Sequence, residues 1–175
     1  MDAHGWTAKN IKTFQGREGR GFNATLYRVG KAVAFVMDDA SGGEVRIDWK
    51  DRDVPRVEVK IIGSAGTTHS FQGTPEEKLL YEFAITQFWP ADPSIGLKEP
   101  LRMSVDGVVG EIVEDVLEQR RLKKLCKTKT VFRLKNDEDR NCVWQTKAQF
   151  TPKIKAWLVQ THGDNLAEIV NETIG

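Results

Sequence analysis

Metal ligands, reactive nucleophiles and membrane anchors are scarce in this chain. Its three histidines, His4, His69 and His162, lie far apart, and no pair has the spacing of metal ligands. No metal site and no cofactor are therefore expected. No Ser/His/Asp or Cys/His signature is present, which leaves no marked nucleophile. No run of about 18 apolar residues exists, so no membrane-spanning helix is expected. The opening Met1-Asp2-Ala3-His4-Gly5-Trp6 has no basic segment leading into an apolar one, so a signal peptide is not expected. Without one, the two cysteines, Cys126 and Cys142, read as reduced thiols, and the expected location is cytoplasmic. Internal repeats and low-complexity tracts are absent as well.

What remains is an ordinary globular composition with an uneven charge. Hydrophobic residues make up 39% and charged residues 29% of the 175 positions. That length suffices for a real core, burying roughly 70% of the unfolded surface. The net charge of +1 conceals three blocks. Residues 1–119 carry 14 Lys+Arg against 19 Asp+Glu, residues 120–155 carry 12 against 3, and residues 156–175 carry none against 3. The local block is what a partner would meet.

Taken in order, glycines at 16, 19 and 21 precede two predicted strands, Ala24 to Val29 and Ala32 to Met37, joined by a turn at Gly30-Lys31. Val45, Ile47 and Trp49 alternate as on a strand with one wet face, and Val57 to Ile62 reads as another. Four strands with short turns predict an antiparallel meander. Thr74-Pro75-Glu76-Glu77 is a helix start, with a capping threonine, a proline at the first position and a glutamate able to close the box. Trp89-Pro90 should end that helix. Three prolines between 90 and 102 suggest an internal boundary, giving a sheet-plus-helix part at 1–90 and a helix–hairpin–helix part at 103–175, together one unit.

A long amphipathic helix is predicted from about Asp106 to Cys126. Its stripe of Val105, Val108, Val109, Ile112 and Val116 leaves a dimer open if incompletely covered. Gly107 and Gly110 within it suggest close packing. A hairpin should follow, 130–135 and 141–147 around an acidic loop, then a helix begun by Thr151-Pro152 and a last short helix at 166–170. The fold class is thus α+β: an N-terminal meander packed by helices, a long helix, a hairpin and C-terminal helices.

The basic block is the main functional candidate. Arg120, Arg121, Lys123, Lys124 and Lys127 end the long helix, Lys129, Arg133 and Lys135 alternate along the next strand, and Lys147 lies on its partner. Phosphates need several fixed cations a few ångströms apart, which a helix end and a hairpin can supply. Nucleic acid or a nucleoprotein is the expected partner, with a host protein as the alternative and a solvated strand edge as the plain reading. The acidic 136–139 loop counts against simple duplex binding. An enzymatic alternative places Asp38 or Asp48 with Glu58 and Lys60, an Asp…Glu-x-Lys pattern of Mg²⁺-dependent nucleases. Gly16-Arg17-Glu18-Gly19-Arg20-Gly21 has neither the strand before nor the helix after that a phosphate loop requires, and reads as a turn. Of five tryptophans, Trp6 and Trp49 are expected partly exposed and most of the others in the core.

Two stretches carry a resemblance. Gly16-Arg17-Glu18-Gly19-Arg20-Gly21-Phe22-Asn23-Ala24-Thr25-Leu26-Tyr27, with the Gly42-Gly43 turn, resembles the opening of small uncharacterised proteins of phages, prophages and mobile elements. Thr130-Val131-Phe132-Arg133-Leu134-Lys135 with Phe150-Thr151-Pro152-Lys153-Ile154-Lys155-Ala156-Trp157-Leu158 resembles their C-terminal part. The resemblance brings no catalytic residue with it. It implies a bacterial or phage cytoplasmic setting, where such proteins are often accessory factors or inhibitors of host defence.

Overall fold

Trp6, Ala8, Phe22, Ala24, Leu26, Ala34 and Val36 recur at alternate positions of successive strands, and all are buried. That period of two builds an antiparallel sheet in the order β1 (Trp6–Gln15), β2 (Arg20–Arg28), β3 (Lys31–Asp38), β4 (Arg46–Trp49). The computed structural model describes residues 3–51, 53–63, 67–137 and 142–174. The glycine-rich stretch is the hairpin turn between β1 and β2, where the Gly16 N–H donates to the Gly19 carbonyl at 2.8 Å. The β2–β3 turn centres on Val29 and Gly30, both at positive φ (46° and 81°), and Lys31 already begins β3. A tight hairpin that matches sheet twist needs φ > 0 at both central residues, which glycine accepts and valine resists.

The meander differs from expectation at both ends. It begins one strand earlier, at β1. It also ends before β5 (Val57–Ile62), which pairs only with β6 (Thr68–Gly73) in a separate two-stranded sheet. Val59 of β5 is fully buried, and α1 (Pro75–Ile85) packs on this strand. The α1 start is as expected. Thr74 Oγ1 accepts the Glu77 N–H, and the Glu77 carboxylate accepts the Thr74 N–H, each at 3.1 Å. The helix ends at Ile85, before Trp89-Pro90. Phe88–Trp89 forms a short strand β7 paired with β8 (Leu101–Arg102), and the proline-bearing segment between them includes a 3₁₀ turn at Pro93–Ile95.

The long helix α2 runs from Val105 to Cys126, and the Ser104 hydroxyl accepts the Gly107 N–H at its start. Val105, Val108, Val109, Ile112 and Val113 are buried. The close packing expected at its glycines is not found. A Cβ at Gly110 would meet open space, and one at Gly107 would make ordinary contact with Trp89.

The chain divides into two compact units, residues 1–115 and 116–175, with the division inside α2 and the 90–102 segment inside the first. In the second unit, β9 (Val131–Leu134) is the centre of a three-stranded sheet, between β10 (Trp144–Gln145) and β11 (Leu166–Ile169). The predicted hairpin therefore has a third strand. Residues 166–169, expected as helix, pair with β9, and only α4 (Val170–Thr173) is helical there. Part of the expected acidic loop and strand, 138–141, lies outside the described residues. Helix α3 (Pro152–His162) starts on Thr151, whose hydroxyl accepts the Ile154 N–H. Both faces of β9 are covered: Val131 packs with Leu122 and Val170, and Phe132 with Leu158 and Ile169. The architecture is α+β, and no helix among the described residues is long and apolar enough to cross a membrane.

Candidate nucleic-acid interface

Helix α2 ends with carbonyls that have no partner in the helix, as every helix does. Two side-chain amides take them up. Asn171 Nδ2 donates to the carbonyls of Cys126 (3.2 Å) and Lys129 (2.9 Å), while its Oδ1 accepts the Val131 N–H at 2.7 Å. Gln149 Nε2 donates to the Lys127 carbonyl at 3.3 Å. The buried Thr130 locks the next turn in place, since its N–H and hydroxyl both donate to the Ala148 carbonyl, at 2.8 and 3.0 Å. Thr146 in turn donates its N–H to the Thr130 carbonyl at 2.9 Å.

These bonds bring the end of α2, the turn before β9 and the 144–149 segment together. A groove of about 450 Å³ opens there, lined by Lys123, Cys126, Lys127, Gln149, Phe150 and Ile174 among others. Beside it, Lys129 Nζ donates to Gln145 Oε1 at 3.0 Å, and Lys147 follows on the same segment. Lys123, Lys127, Lys129 and Lys147 are thus gathered at one end of the unit. The α2 C-terminus has a partial negative charge that favours cations there.

The remaining candidates are placed differently. Arg121 is held by Glu118 through two bonds, Nε to Oε2 at 2.6 Å and Nη2 to Oε1 at 2.7 Å. Arg121's hydrogen bond, aided by the fields of Arg121 and Arg133, holds the Glu118 carboxyl below its usual range. Arg133 is half-buried, its Nε 3.5 Å from Glu168 Oε2 on β11. The expected cationic strand face does not form. The face that Val131 occupies is packed into the core, Lys129 sits in the turn before β9, and Lys135 sits in the turn after it. There the Lys135 N–H donates to the Asn165 carbonyl at 2.8 Å. Arg120 and Lys124 are exposed on α2. Among the described residues, Arg120, Lys123, Lys124, Lys127, Lys135 and Lys147 have no carboxylate within ion-pairing distance.

The thiols give no second chemistry here. Cys126 and Cys142 are both free, and burial pushes the Cys126 thiol up, away from a reactive thiolate despite the surrounding lysines.

The residues of the nuclease pattern are divided between two sheets. Asp38 and Asp48 belong to the four-stranded sheet, whereas Glu58 and Lys60 lie on β5, outside it. Asp38 Oδ1 accepts the Ala40 N–H at 2.8 Å, and Asp48 Oδ2 is 3.0 Å from Arg46. Glu58 and Lys60 are exposed, across from Gln72 and Ser70 on β6. No group of three potential metal ligands occurs among the described residues. Two of the three histidines meet rings instead: His4 stands edge-on to Phe83, and His162 lies against Phe132 and Trp157.

The aromatic expectation holds for Trp49 and fails for the other four tryptophans. Trp6 is buried and Trp49 half-buried, whereas Trp89, Trp144 and Trp157 are exposed, the last two by 48% and 47%. Trp144 Nε1 donates to the Asp137 carboxylate at 3.0 Å. Sequence reasoning missed Asn171, which organises the basic end, and no local pattern around it signals that role. It also missed Phe150, whose place beside Lys123 and Lys127 depends on tertiary structure. No protein-family model, curated protein or solved structure matches the chain.

Proposed function

We propose that this chain is a non-enzymatic accessory protein that binds nucleic acid or a nucleoprotein through the basic end of its second unit. One observation carries the reading. Lys123 and Lys127 line one groove, Lys129 and Lys147 lie on the adjoining turn and 144–149 segment, and Glu118 and Glu168 of the same unit are engaged by Arg121 and Arg133. A cationic surface whose neighbouring carboxylates are already occupied is free to neutralise phosphates and release their counterions. A cytoplasmic, phage-type setting belongs to the same proposal.

The test is a salt titration of binding to a labelled oligonucleotide. Replacing Lys123, Lys127 and Lys147 together by alanine should weaken binding about tenfold or more at moderate salt. The slope of log affinity against log salt should become shallower by roughly 2. Lys78→Ala, on α1, should change neither. Unchanged affinity and slope in the triple variant would overturn the reading.

A second reading, docking onto a host protein as an inhibitor, has its own support. Phe88, Trp89, Ile95 and Leu101 are all exposed along the excursion from β7 to β8, and clustered exposed apolar side chains mark protein contact sites. Binding to a host protein that survives the lysine variant and is lost in an Ile95→Asp/Leu101→Asp variant would favour it.

A further inference from the structure

In an antiparallel sheet with one covered face, the other face is normally polar. The β1–β4 sheet departs from this. Opposite its buried side, Phe35 stands on β3 between Thr25 of β2 and Asp48 of β4, with 39% of its surface exposed. Phe14, 38% exposed, reaches over Gly21, where an added Cβ would come within 3 Å of the ring. Tyr27 carries the Lys9 ammonium 4.5 Å from its ring centre, so that ring also faces outward.

The cations on this face are placed by a specific device. Lys9 and Lys12 are an odd number of residues apart and would ordinarily point to opposite sides. The register shifts between them, so that Lys9 pairs with Thr25 and Lys12 with Asn23, which share one face. Asn10, inside the bulge, has φ 55°. A bulge that re-aims one side chain is a recurrent feature of functional sheet edges. Arg46 adds a third cation, and the carboxylate of Asp48, its neighbour on the face, is paired with it at 3.0 Å.

We propose that this open face is a stacking surface for single-stranded nucleic acid. Flat rings interleaved with cations suit unpaired bases and their phosphates, whereas the bases of a duplex are already stacked and paired. Tyr27 and Phe35 are diagonal neighbours on adjacent strands, roughly 7–8 Å apart. That is about two steps of the 3.4 Å rise along a strand, so each ring can receive its own base. The polar side chains of Asn23 and Thr25 separate the rings, where a protein interface would have a continuous apolar core. The inference rests on the nucleic-acid reading and extends it with a strand preference and a second surface.

The experiment measures fluorescence anisotropy with the full chain, an oligothymidine of about 12 nucleotides and a duplex of equal length. Wild type should bind the single strand about tenfold or more tightly at equal salt. Tyr27→Leu with Phe35→Leu, which keeps apolar bulk, should lower single-strand affinity by about tenfold or more and leave the salt slope unchanged. No salt-dependent binding of either probe by wild type would sink the nucleic-acid reading itself. Salt-dependent binding that the double variant leaves intact, or equal affinity for duplex and single strand, would overturn the stacking surface alone. If sedimentation shows a dimer that the double variant dissociates, with single-strand affinity unchanged, the face joins two copies and the inference is overturned. Should the double variant misfold by circular dichroism, ultraviolet cross-linking of wild type decides. Adducts on peptides containing Tyr27 or Phe35 support the surface, and their absence overturns it.

Discussion

Between Phe22 and Leu26 of β2, and between Ala34 and Val36 of β3, buried residues alternate with half-buried or exposed ones, and the face that Thr25 and Phe35 share stays open. The adjacent buried pair Val33-Ala34 falls where the register shifts. In β9 the adjacent Val131 and Phe132 are both buried, each against a different set of elements. The difference decides where each region can meet a partner. A strand covered on both sides has no face to offer, so the second unit presents its cations from a helix end and turns. A sheet covered on one side can offer the face itself, and rings and lysines occupy it.

The strongest way to break this comparison is to truncate one ring on each sheet. Phe132→Ala should cost about 3–5 kcal/mol, whereas Phe35→Ala should cost about 1–2 kcal/mol, since much of its ring already faces water. Urea unfolding followed by circular dichroism measures both, and equal losses would show that the β1–β4 face is not open. Next comes Asn171→Ala, which removes three bonds to backbone groups at the end of α2 and the start of β9. A loss of about 2–4 kcal/mol is expected, with weaker oligonucleotide binding at the basic end. A variant of wild-type stability would show that the groove is held by its apolar contacts alone. The smallest effect is a gain. Val29→Asn relieves a β-branched residue at positive φ in an exposed turn and should raise stability by about 0.5–1 kcal/mol. Oligonucleotide affinity should not change, which would separate the β2–β3 turn from both contact surfaces.

Local signals in the sequence located the elements whose causes are local. Thr74-Pro75 with Glu77 and Thr151-Pro152 begin helices because capping needs only neighbouring residues, and the α2 stripe is visible from its spacing. The missed strands lack such signals. β1 buries only Trp6 and Ala8, and β6 only Gly73, so neither shows the apolar alternation that marks a strand. Leu166, Ile169 and Val170 fit helical spacing equally well, and the pairing of β11 with β9 is a tertiary event. At the site, the cations themselves were legible and their availability was not. Glu118 and Arg121, three residues apart on one helix, could have been read as a pair. The Arg133–Glu168 contact joins strands 35 positions apart and could not. Trp6, Trp89, Trp144 and Trp157 were misjudged because composition says nothing about which ring a sheet or helix will cover.

The bonds of Asn171 span 40 to 45 positions, back to Val131, Lys129 and Cys126. During synthesis, therefore, every lysine of the groove leaves the ribosome well before the side chain that fixes their arrangement. Until residues 166–171 arrive, β9 lacks its second neighbour, β11, and the end of α2 lacks its latch. Closing so long a span makes this a late step in folding. Under the proposed function, a nascent chain would have the charge for binding without the shape, and capture of a nucleic acid would be deferred until the second unit closes.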